Sequence, residues 1–103
     1  MVETFKKPKL EKGKTYRVEQ YPEEEILESI YLGLSEREHV FKIKSNGFII
    51  AEDHWIMEAN GIITYMPISS SGIRKLTKDS IQIFSDQEKS RLLKILADVG
   101  SQL

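Results

Sequence analysis

No cysteine occurs in this 103-residue chain. A disulfide scaffold, a thiolate zinc site and a cysteine nucleophile are thereby excluded, and a reducing compartment suits the composition. Histidine is nearly as scarce, with only His39 and His54. A zinc site needs three or four converging ligands. The one local cluster, Glu52-Asp53-His54, lies in strand-like sequence, where alternation sends Asp53 and His54 to opposite faces. Neither a metal nor another cofactor is expected. The formal net charge is only −1, so overall charge argues neither for nucleic acid nor for an anionic membrane. No apolar run approaches the roughly 20 residues of a spanning helix. Met1 to Lys14 is charged and lacks an apolar leader, so no signal peptide and a cytoplasmic location are expected.

Hydrophobic residues make up 40% and charged residues 30%. That supplies a core and argues against a disordered chain, and the length suits one domain. Charge is segregated along the chain. Lys6, Lys7, Lys9, Lys12, Lys14 and Arg17 face only Glu3 and Glu11 in the first 17 residues; Glu19, Glu23, Glu24, Glu25, Glu28, Glu36 and Glu38 then face only Arg37. Residues 1–13 therefore read as a basic N-terminal arm, and residues 14–103 as the folded domain.

Thr15 to Tyr21 alternates in the manner of a strand and stops at Pro22. Glu23 to Leu34 fits two readings. As a helix it has acids in its first turn and Ile26, Leu27, Ile30, Tyr31 and Leu34 on one stripe. As a strand it puts Ile26, Ile30, Leu32 and Leu34 on one face and turns at Ser35-Glu36-Arg37. The strand is the reading adopted; the helix would make the fold α+β.

Two Asn-Gly pairs, Asn46-Gly47 and Asn60-Gly61, suit two-residue hairpins because both residues tolerate positive φ. The first would join His39–Lys44 to Phe48–Glu52, with Ile43 opposite Ile50 and Phe41 opposite Glu52. Phe41, Ile43, Phe48 and Ile50 would share a face, leaving Lys42 and Lys44 to solvent. The second would join His54–Ala59 to Ile62–Met66, with Ile56, Ile63 and Tyr65 on a face apolar enough to need a cover. A loop follows at Pro67–Gly72, then a short strand at Ser80–Phe84. Ser85-Asp86-Gln87-Glu88 is a capping box that opens a helix over 86–99. Leu92, Ile95, Leu96 and Val99 form its apolar stripe, and Gly100 ends it.

The expected fold is mainly β: a small barrel or curled antiparallel sheet of five to six strands with a C-terminal helix. The run Tyr31-Leu32-Gly33-Leu34, a charged turn, and His39-Val40-Phe41-Lys42-Ile43 resembles the central hairpin of SH3-like and Sm-like barrels; Ile73-Arg74 after a small-residue loop is similar to the second Sm motif. The resemblance covers about half the chain and implies a fold only, because such barrels host many functions.

No catalytic constellation is complete, so an enzyme is not expected. Ser69, Ser70 and Ser71 lack a nucleophile elbow, and Glu23, Glu24 and Glu25 read as a solvated acidic run. The leading expectation is a non-catalytic interaction module that self-associates or binds another protein through Ile56, Ile63, Tyr65, Leu92 and Leu96. The alternative is a barrel binding single-stranded RNA or DNA. Its phosphate contacts would be Lys6, Lys7, Lys9, Lys12, Lys14, Lys42, Lys44, Arg74 and Lys75, with Tyr16 or Tyr31 as a stacking platform. Against it stands the plainer reading of the arm as a solubilising tail.

Overall fold

The computed structural model describes residues 6–21, 25–66 and 75–103. Among these residues are six strands, β1 (Thr15–Gln20), β2 (Leu27–Ser35), β3 (Glu38–Ile43), β4 (Phe48–Glu52), β5 (Ile56–Ala59) and β6 (Ile62–Tyr65), followed by a helix α1 (Asp86–Asp98). They form one open sheet in the order β4-β3-β2-β1-β6-β5. The mainly β fold with a C-terminal helix is as the sequence implies, and residues 27–35 are strand rather than helix. The sheet is mixed rather than antiparallel, because β1 runs parallel to β6, with Val18 beside Ile63.

The sheet curls so that its inner face closes on itself. Val18, Leu27, Tyr31, Phe41, Ile43, Ile49, Ala51, Ile56, Ile63 and Tyr65 form one buried cluster, to which every strand contributes. Edge strands β4 and β5 are joined by a single 3-10 turn, Asp53–Trp55, which rounds the corner between them. His54 and Trp55 belong to this turn, not to the strand expected from His54. The outer face of the β2–β3–β4 meander carries a second cluster: Val40, Phe48 and Ile50 under Leu76, Ile81, Leu92, Ile95 and Leu96. Three helix residues are fully buried there, and each such burial stabilises by about 1.5–3 kcal/mol.

The β3–β4 register differs from the expected one. Phe41 pairs with Ile49, Val40 with Ile50 and Glu38 with Glu52. The offset of three is odd, so it exchanges the faces of β4: Phe48 and Ile50 lie under the helix while Phe41 and Ile43 point inward. The loop is longer than two residues, with the Ile43 amide donating to Gly47 at 2.9 Å. Phe48 exchanges two backbone hydrogen bonds with Leu76 on the outer edge, and a Cβ on Gly47 would meet Thr77 at 2.9 Å. Among the described residues, Asn60-Gly61 forms the two-residue positive-φ turn expected of it, and Glu36-Arg37 forms another, with φ of 48° and 70°. A meander buried on both faces has no polar side to mark its register.

Ser80–Ile83 is a 3-10 turn, not the expected strand. The Ser80 hydroxyl accepts from the Thr77 amide and donates to the Lys75 carbonyl. Helix α1 begins as its sequence requires, with the Ser85 hydroxyl accepting from the Glu88 amide. It ends in a Schellman arrangement: Ser101 donates to Leu96 and Gly100 to Ala97, with Gly100 at φ 79°.

Candidate functional site

The inner face of the β2–β3 hairpin carries a chain of polar contacts. The Tyr31 hydroxyl lies 2.7 Å from His39 Nδ1, and His39 Nε2 lies 2.7 Å from Asp53 Oδ1. Asp53 Oδ2 is 3.5 Å from Lys7 Nζ in the N-terminal arm. Hydrogen bonding from His39, reinforced by the Lys7 charge, holds the Asp53 carboxyl below its ordinary value. An ionised Asp53 only accepts, so Nε2 carries the proton and, in the neutral ring, Nδ1 accepts from the Tyr31 hydroxyl. Burial, and then the Asp53 charge, push the Tyr31 hydroxyl above its ordinary value. Tyr31 and His39 are both buried, so this hydroxyl is a poor and enclosed nucleophile.

A β-bulge makes this chain geometrically available. A strict pairing from Ser35–Glu38 would set Tyr31 opposite Lys42, facing outward. The register shifts between Tyr31 and Gly33, so Tyr31 pairs with Phe41 and turns inward beside His39. Gly33, with φ +132°, takes a conformation that L side chains rarely adopt. A Cβ there would meet Lys12 Cε at 2.8 Å and Val99 at 3.6 Å. The bulge thus touches both the arm and the end of α1.

An open cleft of about 570 Å³ adjoins the polar chain, lined by Lys7, Leu34, Arg37, Glu52, Asp53 and His54. Leu34 is 54% exposed, and Trp55, 50% exposed, sets its ring edge-on to His54 at 4.6 Å. The backbone is fixed here too, with the Asp53 amide donating to the Arg37 carbonyl at 2.8 Å.

The outer face of the same hairpin carries a second polar cluster. Arg91 Nη1 donates to Glu38 Oε1 at 2.9 Å, and Arg91 Nη2 to Glu88 Oε1 at 2.7 Å. The Ser35 hydroxyl donates to Asp98 at 2.7 Å, and Lys94 pairs with Glu36 and Asp98. Burial pushes the Glu38 carboxyl up despite Arg91, and the hydrogen bond to Glu88 pushes Arg91 up. Glu38 Oε2 is buried with no hydrogen-bond partner among the described residues.

The five residues expected to form a protein interface, Ile56, Ile63, Tyr65, Leu92 and Leu96, are all core residues of this chain. The curl of the sheet covers the first three and α1 packs down with the other two, so the apolar face that seemed to need a partner is covered internally. The basic residues do not form one surface. Lys7 is paired with Asp53 near the start of β3, whereas Lys42 lies over the Phe48 ring at 5.1 Å and Lys44 pairs with Glu28 beyond the other end of that strand. Six strand residues place these ends about 17 Å apart. Lys14 pairs with Glu11; Lys6, Lys9 and Lys12 are exposed, and Lys75 is half-buried. Arg74 and the serines at 69–71 lie outside the described residues. Tyr31 is buried, and the half-buried Tyr16 accepts from the Glu11 amide and sets its ring edge on Phe41, so neither tyrosine offers a free stacking face.

Among the described residues no cluster of three or more His, Asp or Glu could hold a metal, and no helix is long and apolar enough to cross a membrane. Comparison with protein-family models, with curated proteins and with solved structures gave no match.

Proposed function

We propose that this domain is a non-catalytic interaction module that binds another protein at the cleft lined by Lys7, Leu34, Arg37, Glu52, Asp53 and His54. The observation that carries this reading is the half-exposed Leu34 and Trp55, one lining the cleft and the other set edge-on to its His54 wall. An exposed tryptophan at the wall of a cleft with an exposed aliphatic side chain and a charged rim suits an interface centre, where tryptophan is enriched. The non-catalytic part of the reading is supported by the Tyr31 hydroxyl, which is enclosed and engaged by His39.

Trp55 is the sole tryptophan, so its fluorescence reports on this site directly. Selection from a displayed random-peptide library should yield sequences that perturb Trp55 emission. Those peptides should lose at least roughly tenfold in affinity with Leu34→Asp or Trp55→Ala, the loss typical of an anchor residue. Substituting the exposed Tyr21 should leave their binding unchanged. Selected peptides indifferent to Leu34 and Trp55, or no enrichment over a control domain, would contradict the reading.

A further inference from the structure

The N-terminal arm is not a free tail from Lys6 onward. Lys6 and Glu58 exchange two backbone hydrogen bonds, 3.0 and 2.7 Å, so the arm adds one antiparallel bridge to the outer side of edge strand β5. Lys7 then reaches Asp53, Leu10 packs against the inner core cluster, and Gly13 donates to the Tyr31 carbonyl at 2.9 Å. Glu52, Asp53 and Glu58 give the receiving surface a charge opposite to that of Lys6, Lys7 and Lys9.

Between the docked segment and β1 the chain makes a tight turn, with the Lys14 amide donating to Glu11 at 3.2 Å. Glu11, Lys12, Gly13 and Lys14 are exposed, Gly13 is at φ +86°, and none of the described residues lies within 4 Å of where its Cβ would be. Opening this turn breaks the Gly13 amide's bond to the Tyr31 carbonyl and leaves the β1–β2 pairing from Thr15 onward in place. If it opens, the arm's contacts to β5 and Asp53 can be remade on another molecule. The exchanged state differs from the closed one mainly in the turn and in the entropy of association.

We infer that residues 6–12 are an exchangeable arm whose second acceptor is another copy of this chain, giving a two-fold dimer in which each arm lies on the partner's β5 edge. The exchange also supplies Lys7 of one copy to the cleft of the other, so in the dimer each cleft is composite. The inference does not depend on the cleft's binding another protein, and the two fail in separate experiments.

The absence of cysteine makes a direct test available. Lys6 and Glu58 form a hydrogen-bonded antiparallel pair, whose Cα atoms stand about 5.5 Å apart, within the span of a disulfide. The full chain carrying Lys6→Cys and Glu58→Cys is oxidised at rising protein concentration and the bridges are mapped by mass spectrometry. The expected result is a 6–58 bridge within one chain at low concentration and a growing fraction of 6–58 bridges between two chains at high concentration. Adding Gly13→Val strains the closed turn and should raise the interchain fraction roughly fivefold, the factor that left-handed strain on a β-branched residue corresponds to. Intrachain bridges alone at every concentration, or dimers joined only 58–58, would overturn the inference. The unmodified chain gives an independent reading by light scattering of samples concentrated and then fractionated: a species of twice the single-chain mass is expected, and a single-chain mass throughout overturns it.

Discussion

Glu38 and His39 are neighbours on β3, yet they face opposite sides of the sheet and hold opposite ends of the chain. His39 points inward and ties Tyr31 to Asp53 and, through Asp53, to Lys7 of the N-terminal arm. Glu38 points outward and is bound by Arg91 of the C-terminal helix. The two anchors differ in solvent access. Asp53 is more than half exposed, so its ionised form is solvated as well as hydrogen-bonded. The Glu38 side chain is only 5% exposed and meets its counter-ion across an interface. One dipeptide therefore teaches how strand alternation can fasten two terminal segments to a single sheet by different electrostatics.

The largest expected effect falls on the outer anchor. Arg91→Met leaves the buried Glu38 uncompensated. Loss of a buried ion-pair partner costs about 3–5 kcal/mol, reduced here to about 2–3 because Arg91 is partly exposed. Adding Glu38→Gln should recover much of that loss, because the uncompensated charge is then gone. Urea denaturation of the single and double variants measures both. Next in size is the inner anchor: His39→Phe leaves the buried Tyr31 hydroxyl without its partner and should cost about 1–3 kcal/mol.

The pH responses should have opposite signs. Asp53 has a folded value below its ordinary one, so the stability it contributes is present above the usual aspartate range and is lost as pH falls through the lowered value. Glu38 has a folded value above its ordinary one, so its contribution is present below the usual glutamate range and is lost as pH rises through the raised value. Asp53→Asn should therefore flatten the acid fall in stability, and Glu38→Gln should steepen the net fall by removing the opposing term. Denaturation midpoints measured from pH 2 to 7 test both. The smallest effect is Lys7→Ala: an exposed pair at this distance is worth less than about 1 kcal/mol and should vanish in high salt.

Elements with local signals were legible in the sequence. The Ser85 cap, the Leu92–Ile95–Leu96 stripe and the Gly100 stop define α1 within one residue, and alternation marks β1. The β3–β4 register was hidden because both faces of that hairpin are apolar, so Asn46-Gly47 was the only cue and it does not form the two-residue turn. The His39 chain was hidden by the bulge at Leu32-Gly33: ordinary alternation places Tyr31 on the wrong side. Ile56, Ile63 and Tyr65 read as unpartnered because curling of the sheet is a long-range property that a hairpin's own sequence does not state. Leu34 read as part of an apolar strand face and Trp55 as part of the His54–Ala59 strand; neither pattern states their exposure.

The central claim, that adjacent residues of β3 fasten separate terminal segments, is tested most directly by residue-resolved amide hydrogen exchange on the wild type, His39→Phe and Arg91→Met under native conditions. The account predicts that His39→Phe speeds exchange at the Glu58 and Gly13 amides, which hold the arm, while leaving helix α1 protected, and that Arg91→Met speeds exchange along α1 while leaving those two amides protected. Equal acceleration of both segments in both variants would contradict it.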